Sequence, residues 1–142
     1  MTTQFAEVAA LPSHPVLRSI GAVFAGFAAI AVLSTVADAV MHAVGIYPTD
    51  TIQVPSDLLF GVALAYRTAF GVLAGFIAAA LAPNHPLRHA LVLGGIGVAV
   101  STAGAIAMWN VGPHWYPIAV ALICLPSALL GASLQRNRAA TR

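Results

Sequence analysis

Lysine is absent from this 142-residue chain, and charge of either sign is scarce: six arginines and four acidic residues amount to 7% of it. Soluble domains carry roughly 25% charged residues, because a water-facing surface has to be hydrated. With 60% hydrophobic residues and so few charges, the chain cannot coat itself for water, and its solvent is expected to be the lipid bilayer. A single cysteine, Cys124, excludes an internal disulfide and leaves the redox compartment open. The only carboxylates are those of Glu7, Asp38, Asp50 and Asp57, which argues against paired-carboxylate catalysis. Cys-x-x-Cys, Walker, Gly-x-Ser-x-Gly and His-Glu-x-x-His patterns are missing as well. A net charge of +2, scattered along the chain, offers no nucleic-acid surface. The first seventeen residues hold Glu7 and no basic residue, so they do not read as a signal peptide.

What is present is long uncharged sequence. A helix crossing the hydrocarbon core needs about 20 mostly apolar residues. Ser19 to Ala37 and Thr68 to Leu87 supply this, and from His89 to Gln135 there is no Asp, Glu, Lys or Arg. Asn110-Val-Gly-Pro-His114 divides that last stretch, because Gly and Pro together end a helix and permit a reversal. The pattern predicts an all-α, integral membrane four-helix bundle over 17–135, with helices at 17–44, 58–82, 87–110 and 115–135. A front tail (1–16) and a basic back tail (136–142) flank it. Phe5, Val8 and Leu11 would let the front tail lie on the membrane surface.

Arginine sets the expected direction, since basic residues are retained on the cytoplasmic side. Arg18 precedes the first helix, Arg88 lies between the second and third, and Arg136, Arg138 and Arg142 follow the fourth. The other two connections have none, and the first of them carries Asp50 and Asp57. Both termini are therefore expected inside, in the cell membrane or, in a bacterium, the inner membrane. Tyr47, Trp109, Trp115 and Tyr116 then fall at the outer interface, where amphipathic rings favour the headgroup level.

Pro12-Ser-His-Pro-Val-Leu-Arg18 and Pro83-Asn-His-Pro-Leu-Arg88 each lead into an inside-to-outside helix. A duplicated two-helix hairpin would produce this, and so would the ordinary use of Pro and Arg at helix starts. In lipid, small residues rather than apolar burial bring helices together. The second helix offers Gly71 and Gly75, the third Gly94, Gly97, Ser101 and Gly104, the first Ala22 and Gly26, and the fourth Ser127 and Gly131. Pro126 removes one backbone bond in the fourth helix and is expected to bend it.

Two charges do not fit outside the membrane. Arg67 lies roughly 13 Å into the second helix at 1.5 Å per residue. It shares a face with Gly71 and Gly75, so it points at another helix. Ser34, Asp38 and His42 form a polar ladder on the first helix at steps of four, with Asp38 roughly 10 Å deep. Consecutive antiparallel helices bring these depths together, which predicts an Asp38–Arg67 ion pair with His42 and Tyr66 nearby. The alternative places Asp38 at the outer boundary, with Arg67 snorkelling past it. Trp109, Asn110, His114 and Tyr116 collect at the same end and could border an outward-facing cavity, or serve as interface anchors.

Metal ligands are not indicated: His85 and His89 straddle a helix start. No cofactor is expected, haem held by His42 and His114 being the remote alternative. Two functions fit. One is binding or transport of a small molecule or ion through a cavity around Asp38 and Arg67; four helices make a thin pathway, so transport calls for a homo-oligomer. The other is a structural or accessory subunit that packs into a larger membrane complex through its small-residue faces. An intramembrane enzyme has least in its favour.

Overall fold

A computed structural model describes residues 14–48 and 56–141. The front segment with Phe5, Val8 and Leu11, expected on the membrane surface, the acid Asp50 and the terminal Arg142 lie outside the described residues. The fold of the described residues is all-α, with four helices: α1 (Pro15–Ala43), α2 (Asp57–Leu81), α3 (Pro86–Ala107) and α4 (Trp115–Ala140). Each is long and apolar enough to cross a membrane, the pattern of a multi-pass membrane protein.

Local chemistry sets the helix ends. α1 and α3 both start with Pro in the first turn, where its missing N–H is not needed. Their entries differ nonetheless. His14 precedes α1 in extended backbone, whereas His85 adopts φ 44°, the left-handed region, to complete the tight reversal from α2 into α3. α3 stops at Ala107, three residues short of the expected end, and Met108 to Asn110 already belong to the turn. α4 runs unbroken through Pro126 and on to Ala140, past the expected end at 135. A helix need not stop where its apolar segment stops: Arg136 and Arg138 are good helix formers, and their charges suit the negative end of the helix dipole.

The bundle is inverted relative to a protein in water. Its interior is lined by small residues: Ala22, Ala74, Ala78, Ala90, Ala128 and Ala132 are all at most 3% exposed, and no large side chain is fully buried among the described residues. Large apolar side chains point outward, with Phe24 at 69% exposure, Leu58 at 76% and Leu122 at 72%. Such a surface is stable against acyl chains and not against water.

α4 packs along α2 and α3, and α1 along α2, with lesser contacts of α3 to α1 and α2; α1 and α4 do not pack on each other. The closest seam joins α2 and α4, which run parallel. An added Cβ at Gly75 would run into the backbone of Ala128, and one at Gly131 into the backbone of Val72 and Phe76. At Gly71 it would come within 2.5 Å of Ser127 Oγ, and at Gly26 within 2.8 Å of the Ala74 carbonyl. On α3, a Cβ at Gly94 would approach the Leu125 backbone to 3.0 Å and one at Gly97 would approach Cys124 to 3.2 Å. Ser101 continues that row, 3.4 Å from Cys124 Sγ. Gly104, expected in the same packing stripe, faces no atom within 4 Å of an added Cβ, so it is not a contact: it borders open space at the end of the bundle instead.

Candidate functional site

The end of the bundle where α1 and α3 finish and α2 and α4 begin holds the polar network. Arg67 Nη2 donates to Asp38 Oδ2 at 2.5 Å, joining α2 to α1. Arg67 Nη1 donates to the Tyr116 hydroxyl at 2.6 Å, joining α2 to α4. One guanidinium therefore ties together two helices that do not otherwise meet.

The reach behind this arrangement is informative. Tyr116 packs on Phe60, with ring centroids 4.9 Å apart. Phe60 precedes Arg67 by two turns, roughly 10 Å of helix rise. The arginine, leaning toward the start of its own helix, spans that distance to the tyrosine hydroxyl. The guanidinium carbon also lies 5.8 Å from the Tyr66 ring centroid, within cation–π range, while Tyr116 meets it through the hydroxyl.

Asp38 is held from its other side too. The Tyr66 hydroxyl donates to Asp38 Oδ1, and the Tyr47 hydroxyl lies 3.3 Å from that of Tyr66 and donates to the Leu59 carbonyl at 3.4 Å. The carboxylate thus receives a charge-assisted bond on each oxygen. A guanidinium has five N–H donors. Asp38 and Tyr116 take two, and Nε is buried without a partner.

Two cavities meet at this arginine. A central one, about 260 Å³, runs between all four helices; its polar wall atoms come from Ser34, Arg67, Ser101, Cys124 and Ser127, and the rest of the wall is apolar. A second, about 280 Å³, lies toward the α3–α4 turn between Phe60, Trp109, Pro113 and Tyr116. Arg67, Ser101 and Val120 line both, so these three stand between the end of the bundle and its middle.

The structure thus brings Asp38, Arg67 and Tyr66 into contact and sets Ser34 in the wall beside them. His42 is exposed, one turn beyond Asp38, with its ring edge-on to Tyr47 at 5.4 Å rather than on the ion pair. Trp109 lines the second cavity and stacks on His114 at 4.2 Å. His42 and His114 each have their own aromatic partner. Asn110 is exposed in the turn and is not brought to the network. Tyr47, expected only as an interface anchor, is corrected to a member of the network, since it is buried with its hydroxyl 3.3 Å from that of Tyr66; of the two roles open to Tyr116 it takes the one beside the cavity, where it bonds to Arg67. Donor arithmetic was the signal for Tyr116, because one carboxylate cannot serve five N–H groups and a phenol at the same end of the bundle can take another. His89 Nδ1 donates to the His85 carbonyl at 3.2 Å within the first turn of α3. Among the described residues no three His, Cys, Asp or Glu side chains gather closely enough to hold a metal ion.

Comparison with models of protein families, with curated proteins and with solved structures finds no match to this chain. The fold and site define a class only, a four-helix bundle of membrane-spanning length with a guanidinium-centred polar network at one end.

Proposed function

We propose that the chain is a multi-pass membrane protein with both ends cytoplasmic that binds, and in a homo-oligomer transports, a small molecule through a cavity open to the outside at Arg67. The observation that carries this reading is that Arg67 lines both cavities while Nη1 and Nη2 each spend one N–H, on Tyr116 and on Asp38, and keep a second. Asp38 already balances the arginine's charge, so a second full anion would leave the site negative in a low-dielectric setting. The ligand this chemistry favours is neutral and mainly apolar, with a hydrogen-bond acceptor such as a carbonyl or ether oxygen. Arg67 N–H groups and the Tyr116 hydroxyl proton are the donors that would meet it.

The direction rests on the arginines. Arg18, Arg88, Arg136 and Arg138 lie at the end opposite the network, where α1 and α3 start and α4 finishes. Basic ends stay cytoplasmic, which turns the cavity outward.

The alternative, an accessory subunit joining a larger complex through small-residue faces, has less support. Gly71, Gly75 and Gly131 make their close contacts within this one chain and are not free for a partner. The test is to purify the protein in mild detergent and identify small molecules that leave with it, beside a Val120→Trp variant that fills the wall shared by both cavities. A bound neutral molecule lost in the variant, with helicity unchanged, supports the reading. No ligand with either protein, together with a fall in abundance of Arg67→Ala, favours the structural role.

A further inference from the structure

A third cavity lies apart from the network, on the outside of the bundle between α1 and α3. It is the largest of the three, about 510 Å³, and almost wholly apolar. Ile20, Val23 and Phe24 form one wall, Val92 and Ile96 the other, and Arg88 stands at its end. Its apolar walls are not covered by any part of the described chain: Ile20 is 60% exposed, Phe24 69% and Val92 54%.

Three features decide what fills it. The first is length. From Ser19 to Phe27 on α1, and from Arg88 to Ile96 on α3, the groove follows its helices for roughly 12 Å. This is close to one leaflet's share of a hydrocarbon core about 30 Å thick. A second copy's helix would need a face running the full thickness, whereas a lipid chain enters from one side and stops near the middle. The second is closure. At the groove's inner limit Phe27 lines both the groove and the central cavity, and Gly26 and Leu93 bring α1 and α3 together. The third is charge. The open end carries Arg88, with Arg18 beside Ser19 at the start of α1, and the only carboxylates among the described residues, Asp38 and Asp57, lie at the opposite end. Basic side chains at a groove between membrane helices suit an anionic headgroup.

We infer that this groove holds one acyl chain of an anionic phospholipid, with the lipid phosphate on Arg88. The inference rests on the membrane reading above but not on the ligand cavity, which is on the other side of Phe27. An occupied groove would add a wall to the sparse contact of α1 with α3 and so fix α1 on the bundle. Lipid occupancy would then be felt at Asp38 through the tilt of α1.

The test uses the full chain, delipidated in mild detergent. Phosphatidylglycerol and phosphatidylcholine of identical acyl chains are added in turn, and bound lipid is counted by native mass spectrometry. The protein should retain phosphatidylglycerol preferentially. Arg88→Gln should weaken phosphatidylglycerol binding by about fivefold, the effect of one basic side chain near an anionic surface, and leave phosphatidylcholine unchanged. Val92→Trp, which fills the groove, should reduce both. Arg88 is exposed, so its variant should keep its helicity, which circular dichroism checks. Equal retention of the two lipids by the unaltered protein overturns the inference. So does a preference that survives Arg88→Gln and disappears only when Arg136 and Arg138 are neutralised. In either case the Arg67 cavity would still stand; a chain that does not partition into membranes at all would remove both.

Discussion

Replacing Asp38 by Asn strips the Arg67 guanidinium of its counter-charge while keeping an oxygen for the Tyr66 hydroxyl to meet. Breaking a fully buried pair costs about 3–5 kcal/mol, because the surviving charge stays desolvated. A surface pair is worth about 1 kcal/mol or less. Here the side chains of Arg67 and Asp38 are 27% and 34% accessible, which puts the pair between those limits. We expect Asp38→Asn and Arg67→Met each to cost about 2–3 kcal/mol, with the double variant no worse than either single one. That leaves a coupling of about 2–3 kcal/mol, at the upper end of the range found for contacting residues. Denaturing-detergent titration of the four proteins in mixed micelles, followed by far-ultraviolet circular dichroism, measures it. Single losses near 0.5 kcal/mol that simply add would refute the reasoning, since they would mean that both groups are solvated and the network does not hold α1 to α2.

Other consequences are accessible to the same titration. Tyr116→Phe removes the acceptor for Arg67 Nη1 and should cost about 1.5–3 kcal/mol, the range for a hydrogen bond to a charged group. An unchanged midpoint would mean that α4 is not held through Arg67. Gly75→Ala drives a Cβ into the Ala128 backbone and should cost about 1–3 kcal/mol by overpacking. Gly95→Ala, whose Cβ would meet nothing within 4 Å, should instead be neutral or add up to about 1 kcal/mol through helix propensity. Equal effects at the two glycines would contradict the α2–α4 seam. Asp57→Asn keeps an oxygen for Trp115 Nε1 and removes only the negative charge in the first turn of α2, so it should shift stability by less than about 1 kcal/mol.

The helices were legible because charge is so rare here that its gaps outline them. The far end of α4 was not, since a hydropathy reading stops at Arg136 while backbone hydrogen bonding continues to Ala140. Asp38 and Arg67 could be paired in advance because antiparallel neighbours with polar residues at matching depth have few other ways to satisfy them. Tyr116 could not: its ring packs on Phe60, two turns ahead of Arg67, and only the reach of the long arginine side chain brings the two together. Tyr47 was hidden for a related reason. It follows α1 in a turn, and the fold of that turn, not helical spacing, carries its hydroxyl to Tyr66. The pairing of α2 with α4 was equally unreadable. Gly71, Gly75 and Gly131 announce close packing, but not which helix will meet which.

Cys124 offers a direct probe of the central claim, that the cavity at Arg67 opens outward. It is the chain's single cysteine, it lines the central cavity, and it lies roughly 14 Å along α4 from the start of that helix. A small, charged, membrane-impermeant thiosulfonate should modify it when added to the outer face of sealed vesicles. Val120→Trp should block that reaction, and the cytoplasmic face should give none. Modification from the cytoplasmic face alone, or only by reagents that dissolve in the bilayer, would contradict an outward-facing cavity.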